Sequence, residues 1–219
     1  MPLPETTDLW IVPLDTDPAL HEARLPELGA YERERAYRLG VRKPAARRRY
    51  LAAHLAARDI VAGYLKCAPA DLTHVRNAWR GKPGYVLGWC PGPAVSLSRS
   101  HELALLAVRA PGAVVGVDLE HVRPGVDWSR VLGRPCPDPA DGFRAWTRLE
   151  AAVKASGLGL AAAAGTHLDH RFWPAADLAL PRPYDGYAAA VATDRAGRNN
   201  PVRIRLHSTS DFRELVTLP

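Results

Sequence analysis

Twice along this chain a strand-length apolar run leads into a helix-length segment and then into further strand-length runs, and that repeated order limits the fold more than any single residue. Asp8 to Leu14 reads as a first strand that Pro13 ends. Short helices are expected between about Ala19 and Leu39. A long helix is expected from about Ala45 to Leu65, because Tyr50, Leu51, His54, Leu55, Arg58, Ile60, Val61, Tyr64 and Leu65 recur near a 3.6-residue period. Pro44 suits its first turn. Strand candidates follow at Val75–Trp79, Ala94–Leu97, Leu103–Val108 and Ala113–Leu119, with turns at Gly81–Gly84 and Ala110–Gly112. A second helix is predicted from about Pro139 to Ser156, with Asp138 as N-cap and Gly157 as stop. On it Phe143, Trp146, Leu149, Glu150 and Val153 are expected to share one face. Strand-like text returns at Thr166–Phe172, Tyr187–Ala192 and Val202–Leu206, while Pro135–Pro139, Ala161–Ala164 and Pro174–Pro183 read as connecting loops. The expectation is α+β, with two similar halves, 1–111 and 112–219, and no short-period repeat.

Composition narrows the function classes. With 219 residues, 47% hydrophobic and 24% charged, the chain is neither disordered nor collagenous. No window reaches the ~18 apolar residues of a membrane helix, and the N-terminus lacks the pattern of a signal peptide. Cys67, Cys90 and Cys136 are odd in number and in no CxxC pair, so neither a disulfide framework nor a zinc site is expected, and a reduced cytoplasm is the expected setting. The net charge of +6 is concentrated. Tyr31 to Arg49 holds eight basic side chains (Arg33, Arg35, Arg38, Arg42, Lys43, Arg47, Arg48 and Arg49) against Glu32 and Glu34, so the rest of the chain is neutral. One cationic strip on a neutral protein needs an anionic partner or is a solvated helix face. Its aromatics (Tyr31, Tyr37, Tyr50) are too few for a nucleic-acid surface, which is not expected.

Three segments carry chemistry. In Val114–Glu120, an apolar run leads into Asp118 and Glu120 at i and i+2, which on a strand point the same way. Paired carboxylates repel unless one is protonated or a cation lies between them, and a hard ion such as Mg²⁺ prefers such oxygens. Alone, the pair reads first as a strand end reaching solvent, since acid pairs are common there. In Trp146–Lys154, Glu150 and Lys154 lie one helical turn apart, alone no more than an i,i+4 ion pair. Val95–His101 reads as a hydroxyl-rich loop with a cation, and Gly81-Lys82-Pro83 precedes it. Serine hydroxyls with Arg or Lys suit a phosphate monoester, although serine turns are common. No GxSxG elbow and no GxxxxGK[ST] phosphate loop is present. His167-Leu168-Asp169-His170 lacks a partner cluster and reads as a strand end, and His54 as a helix-face residue packed on a neighbour.

In this order and spacing the segments resemble the 4′-phosphopantetheinyl transferases of the larger, Sfp-like class. That family carries G-[IV]-D-[IL]-E, here Gly116–Glu120, and some thirty residues on W-x-x-K-E-x-x-x-K, here Trp146–Lys154. Gly81-Lys82-Pro83 matches its G-[KR]-P turn, and Ser96–Ser100 its serine-histidine loop with one change. Gly157–Leu160 and Asp185–Val191 are similar to its closing segments, so the likeness runs from about Tyr31 to Thr193.

The resemblance implies a pseudo-dimer, each half a small, mainly antiparallel sheet against a long helix, with the active site in the cleft between them. It implies Mg²⁺-dependent transfer of 4′-phosphopantetheine from coenzyme A to a serine of an apo acyl or peptidyl carrier protein, leaving 3′,5′-ADP. By position, Asp118, Glu120 and Glu150 would hold Mg²⁺, and Lys154 would contact the pyrophosphate. Glu150 would be the base, directly or through a metal-bound water. Arg35, Arg49, Lys82, Ser98, Arg99 and Lys154 would bind coenzyme A. The family's usual histidine is Arg99 here, which keeps the positive charge assigned to the 3′-phosphate. Its first motif lysine is Leu149 here, so any phosphate or carrier contact of that lysine is lost unless Arg148 compensates. Both departures leave an alternative: a weakened relative that binds coenzyme A or the carrier without transfer. A cytoplasmic monomer is expected, with surplus arginines of the strip steering an acidic carrier.

Overall fold

The computed structural model describes residues 6–76, 83–88, 90–158, 173–194, 201–207 and 212–218. Strand β1 (Thr7–Pro13) is the apolar run with which the chain opens, buried from Thr7 to Val12. Helices α1 (Pro18–Ala23), α2 (Ala30–Arg42) and α3 (Pro44–Leu65) follow, with Pro44 at the first turn of α3. Strands β2 (Thr73–Arg76), β3 (Pro83–Leu87) and β4 (Cys90–Pro91) form a small antiparallel sheet. Next come β5 (Ala94–Ser100), β6 (Leu103–Arg109) and β7 (Val115–His121), then α4 (Trp128–Leu132) and α5 (Pro139–Ser156). The last described elements are β8 (Ala175–Asp177), β9 (Tyr187–Thr193), β10 (Val202–His207) and β11 (Phe212–Leu218).

A five-stranded sheet runs in the order β11-β10-β1-β6-β5, and a three-stranded one in the order β7-β9-β8. The strands pair antiparallel except β1 with β10, so the C-terminal strands complete the sheet that β1 begins. The large sheet is covered on both faces, and this explains why β1 and β6 read as unbroken apolar runs. Trp10, Val12, Ala104, Leu106 and Val108 point to α3, whose Ala53, Ala57, Ile60 and Val61 fill that side. Leu9, Ile11, Leu103, Leu105 and Ala107 point the other way, onto Val117, Leu119, Ala189 and Val191. Beyond that second sheet, Ala151, Ala152 and Ala155 of α5 pack on Ala190 and Ala192. The layers are therefore α3, sheet, sheet, α5: an α+β fold. No described helix is long and apolar enough to cross a membrane.

Most elements lie where periodicity puts them, and α5 keeps both caps, with Asp138 accepting from the Ala140 N–H at 2.9 Å and Gly157 at φ 75°. Three readings change. The serine segment expected as a loop is strand through Ser100. Part of the presumed connection at Pro174–Pro183 is strand β8. The buried face of α5 runs through Phe143, Thr147, Ala151 and Ala155, leaving Leu149 partly exposed. Small residues defeat an apolar-stripe reading because they mark close approach rather than bulk. The predicted strand at Thr166–Phe172, the end of that at Val75–Trp79, His167 to His170 and the turn carrying Gly81 and Lys82 lie outside the described residues. Cys67 and Cys136 are free thiols.

Candidate active site

Period-two geometry on β5 and β7 builds the site. Ser96, Ser98 and Ser100 point from β5 toward β7, while Val95, Leu97 and Arg99 point toward α3. The strands belong to different sheets, yet the serines join them. Ser96 Oγ accepts from the Val117 N–H at 3.0 Å, and Ser100 Oγ from the His121 N–H at 3.0 Å. Ser98 donates to Asp118 Oδ1 at 2.7 Å, and Ser100 to Glu120 Oε2 at 2.8 Å. An i,i+2 serine series thus faces an i,i+2 acid pair.

Helix α5 closes over this seam because Gly116 lets it. A Cβ on Gly116 would lie 2.1 Å from the Ala151 carbonyl oxygen and 2.5 Å from the Ala155 nitrogen. Only a residue without a side chain admits that approach. Ala151 and Ala155 directly follow Glu150 and Lys154, so the same contact brings those two groups to Asp118. Lys154 Nζ lies 2.5 Å from Asp118 Oδ1 and 3.0 Å from Ser98 Oγ, and 3.7 Å from Glu150 Oε2. The structure therefore gathers Asp118, Glu150, Lys154 and Ser98. Glu120 stands one step along, on Ser100 and 3.9 Å from Arg123.

The electrostatics of the cluster are those of too many acids for one ammonium. Burial and the neighbouring Asp118 carboxylate push Glu150 up to about 7, against the pull of Lys154. Burial also raises Glu120, opposed by its bond from Ser100. Asp118 is 2% exposed; its buried Oδ2 accepts from no N–H or hydroxyl of the described residues, and the group that bonds to this carboxylate when protonated is Glu150. A buried carboxylate oxygen beside a carboxyl driven toward protonation reflects more acid than the single ammonium of Lys154 offsets. All three acids offer the oxygen donors that Mg²⁺ prefers, so the donor chemistry, though not their present spacing, suits a hard divalent ion. As they stand, no three acidic, histidine or cysteine side chains among the described residues are close enough together to hold one, and Lys154 sits against Asp118 as the internal cation.

The proposed coenzyme A contacts divide. Ser98 belongs to the acid cluster. Arg99 lies on the α3 side of β5, its Cζ 5.1 Å from the centre of the Tyr50 ring. Arg35 is exposed on α2, and its charge reaches both Arg99 and Tyr50. Arg49 is engaged elsewhere, making paired 2.8 Å bonds from Nε and Nη2 to the Asp15 carboxylate. Lys82 lies outside the described residues. Arg148 donates to Asp177 at 2.8 Å, and so is tied down beside Leu149 rather than standing free in place of the family lysine.

Two clusters escaped sequence reasoning. Glu32, counted with the strip, is fully buried. Its carboxylate takes the Gly29 N–H at 2.8 Å, His54 Nδ1 at 2.9 Å and Arg58 Nη2 at 3.2 Å. Burial alone would raise it, but His54 and the Gly29 N–H hold it down at about 2. Its i,i+22 and i,i+26 partners leave no local signature. Near Glu120, His101 stacks on His121 at 4.5 Å, and Tyr187 donates to Glu102 at 2.6 Å. His101, at φ 52°, ends β5 in the left-handed region, which a positive charge in a serine run does not announce.

No family model matches the chain. Among characterised proteins it is similar to the 4′-phosphopantetheinyl transferase HetI of Nostoc sp., with 34% identity over 176 residues, covering 73% of this chain and 72% of that protein.

Proposed function

The chain belongs to the 4′-phosphopantetheinyl transferase family, and from that premise we propose that the β5–β7–α5 seam transfers 4′-phosphopantetheine from coenzyme A to a serine of an apo acyl or peptidyl carrier protein. The observation that carries this reading is the convergence of Asp118, Glu150, Lys154 and Ser98. The carrier serine oxygen forms a bond to the phosphorus that bears the pantetheine arm. The bond from that phosphorus to the bridging oxygen breaks, and 3′,5′-ADP leaves with the electron pair. Such transfer needs charge neutralisation and alignment more than covalent catalysis.

Each residue has a role that its surroundings support. Asp118, Glu120 and Glu150 are the groups that would hold Mg²⁺, which when bound supplies charge neutralisation to the diphosphate. Lys154, one turn from Glu150, places its ammonium against the same phosphates. Glu150 takes the serine proton, since the serine hydroxyl is a weak nucleophile until a carboxylate beside it accepts that proton. Ser98 fixes the rotamer of Asp118 through its 2.7 Å bond. We place the chain in the Sfp-like class, with 1–111 and 112–219 as related halves, β10 and β11 of the second crossing to the sheet of the first, and coenzyme A between them. Arg35, Arg99, Lys82 and Arg49 are the cations assigned to its phosphates, and Arg49 reaches them only after leaving Asp15.

The test is direct. The protein is incubated with coenzyme A, Mg²⁺ and several apo acyl and peptidyl carriers, and each carrier is weighed by mass spectrometry. A phosphopantetheine adduct on at least one carrier is expected. Coenzyme A binding with no adduct on any carrier would identify the non-transferring relative instead.

A further inference from the structure

Arg99 is a half-buried guanidinium for which, among the described residues, no carboxylate partner is found. Burial without a counter-ion depresses its pKa, and the charge of Arg35 lowers it further. What holds it is an aromatic face. Tyr50 lies under it, 3% exposed, and stacks in turn on His54 with ring centres 4.1 Å apart and planes 28° apart. His54 is fixed by Glu32 at 2.9 Å, and Glu32 by Arg58 and the Gly29 N–H. Arg58 donates onward to the carbonyls of Leu72 at 2.8 Å and Pro69 at 3.1 Å. An unbroken column therefore runs from the backbone behind α3 to the guanidinium on β5.

We propose that Tyr50 is a positioning residue that holds Arg99 over its ring, and that this column sets the preference for a cofactor bearing a phosphate monoester over one lacking it. The inference rests on the reading of Arg99 as a coenzyme A contact. A guanidinium is planar with five N–H donors, and one restrained over a ring loses less freedom on meeting a tetrahedral dianion by two parallel bonds. Arg35 supplies a second charge from α2. The phenol stays neutral, since burial and the Glu32 charge push Tyr50 up to about 12, so the platform presents a π face rather than a competing anion. The phosphate monoester of coenzyme A is its 3′-phosphate, and 3′-dephospho-coenzyme A is the probe without it.

The experiment measures kcat and KM for both cofactors in wild type, Tyr50→Phe, Tyr50→Leu and Arg99→Gln. Wild type is expected to favour coenzyme A through KM. Tyr50→Leu is expected to raise KM for coenzyme A by roughly five- to thirty-fold, the range of a partly desolvated cation–π contact, with kcat and the dephospho-coenzyme A KM unchanged. Tyr50→Phe keeps the ring and is expected to match wild type. Equal effects of Tyr50→Leu on both cofactors, or none, would overturn the positioning role. Should that variant not fold by circular dichroism, Arg99→Lys serves, since an ammonium keeps the charge but not the planar guanidinium. A selective rise in coenzyme A KM is then expected, and an unchanged KM overturns the proposal. Arg99→Gln separates the two layers: if it leaves the preference for coenzyme A intact, the contact itself is misassigned, whatever Tyr50 does.

Discussion

The acid seam of β7 and α5 and the cationic strip of α2 and α3 are both conspicuous concentrations of charge, and they end in opposite ways. The seam converges: groups on two strands and a helix meet within hydrogen-bond distance, with more acid than the one ammonium offsets. The strip disperses. Arg47 pairs with Glu22, Arg38 with Glu34 and Arg49 with Asp15, while Arg33 caps the Leu28 carbonyl. Glu32 turns inward altogether. Arg35, Arg42, Lys43 and Arg48 stay exposed, and of these Arg35, whose charge reaches Arg99, carries the strip's claim on the cofactor. Spacing set by secondary structure aims side chains at one point, whereas density of charge along a helix aims them all round it.

Five outcomes would break or sharpen that contrast. The largest concerns the strip's inward acid. Glu32→Ala strands Arg58 and His54 in the interior, and a loss of about 3–5 kcal/mol in urea unfolding is expected. Glu32 is held below its unfolded value of 4.5, at about 2, so its contribution is present above pH 4.5 and disappears as pH falls toward 2. A surface-like loss under 1 kcal/mol would return Glu32 to the solvated face.

Next comes Asp118→Ala, for which a drop of roughly 10²–10³-fold in kcat is expected with circular dichroism unchanged. Full activity would detach the seam from the chemistry. Gly116→Ala follows, since its Cβ collides with backbone rather than with a flexible side chain. About 1–3 kcal/mol of destabilisation is expected, with loss of activity beyond the fraction unfolded because α5 is pushed off β7.

A smaller effect tests the leftover charge. Glu150 is raised to about 7 in the fold, so its contribution to stability is present below pH 4.5 and lost as pH rises through 7. Mg²⁺ is expected to restore it, raising Tm by about 2–4 °C more at pH 8 than at pH 6. Equal shifts at both pH values would place the ion elsewhere. Smallest of all, Arg47→Ala removes a partly exposed pair, and a change within about 1 kcal/mol is expected, without effect on transfer at physiological salt.

The same contrast explains what could be read without coordinates. Asp118 with Glu120, Glu150 with Lys154 and the caps of α5 are local patterns, and each does in space what its spacing says. Gly116 was visible as a motif letter, but its reason, the backbone of α5 at 2.1 Å, is a tertiary fact. The serines looked like a loop because hydroxyls favour turns. Their alternation was the true signal, since Ser96, Ser98 and Ser100 repeat with the period of a strand. Asp15 lies 34 residues before Arg49 and Glu32 lies 26 before Arg58, distances over which no pattern operates. The fold's two long helices and central apolar strands were legible for the reason the seam was: burial on a fixed period writes itself into the residues.

The central claim is that the β7 and α5 acids form one reaction centre with a divalent cation. The measurement that meets it directly is the rate of phosphopantetheine transfer to an apo carrier against free Mg²⁺, for wild type, Asp118→Asn and Glu150→Gln. A saturable dependence on Mg²⁺ in wild type, with both variants slow at every concentration, is the expected result. Transfer that proceeds at the same rate in chelator, or that either variant sustains at the wild-type rate, would contradict it.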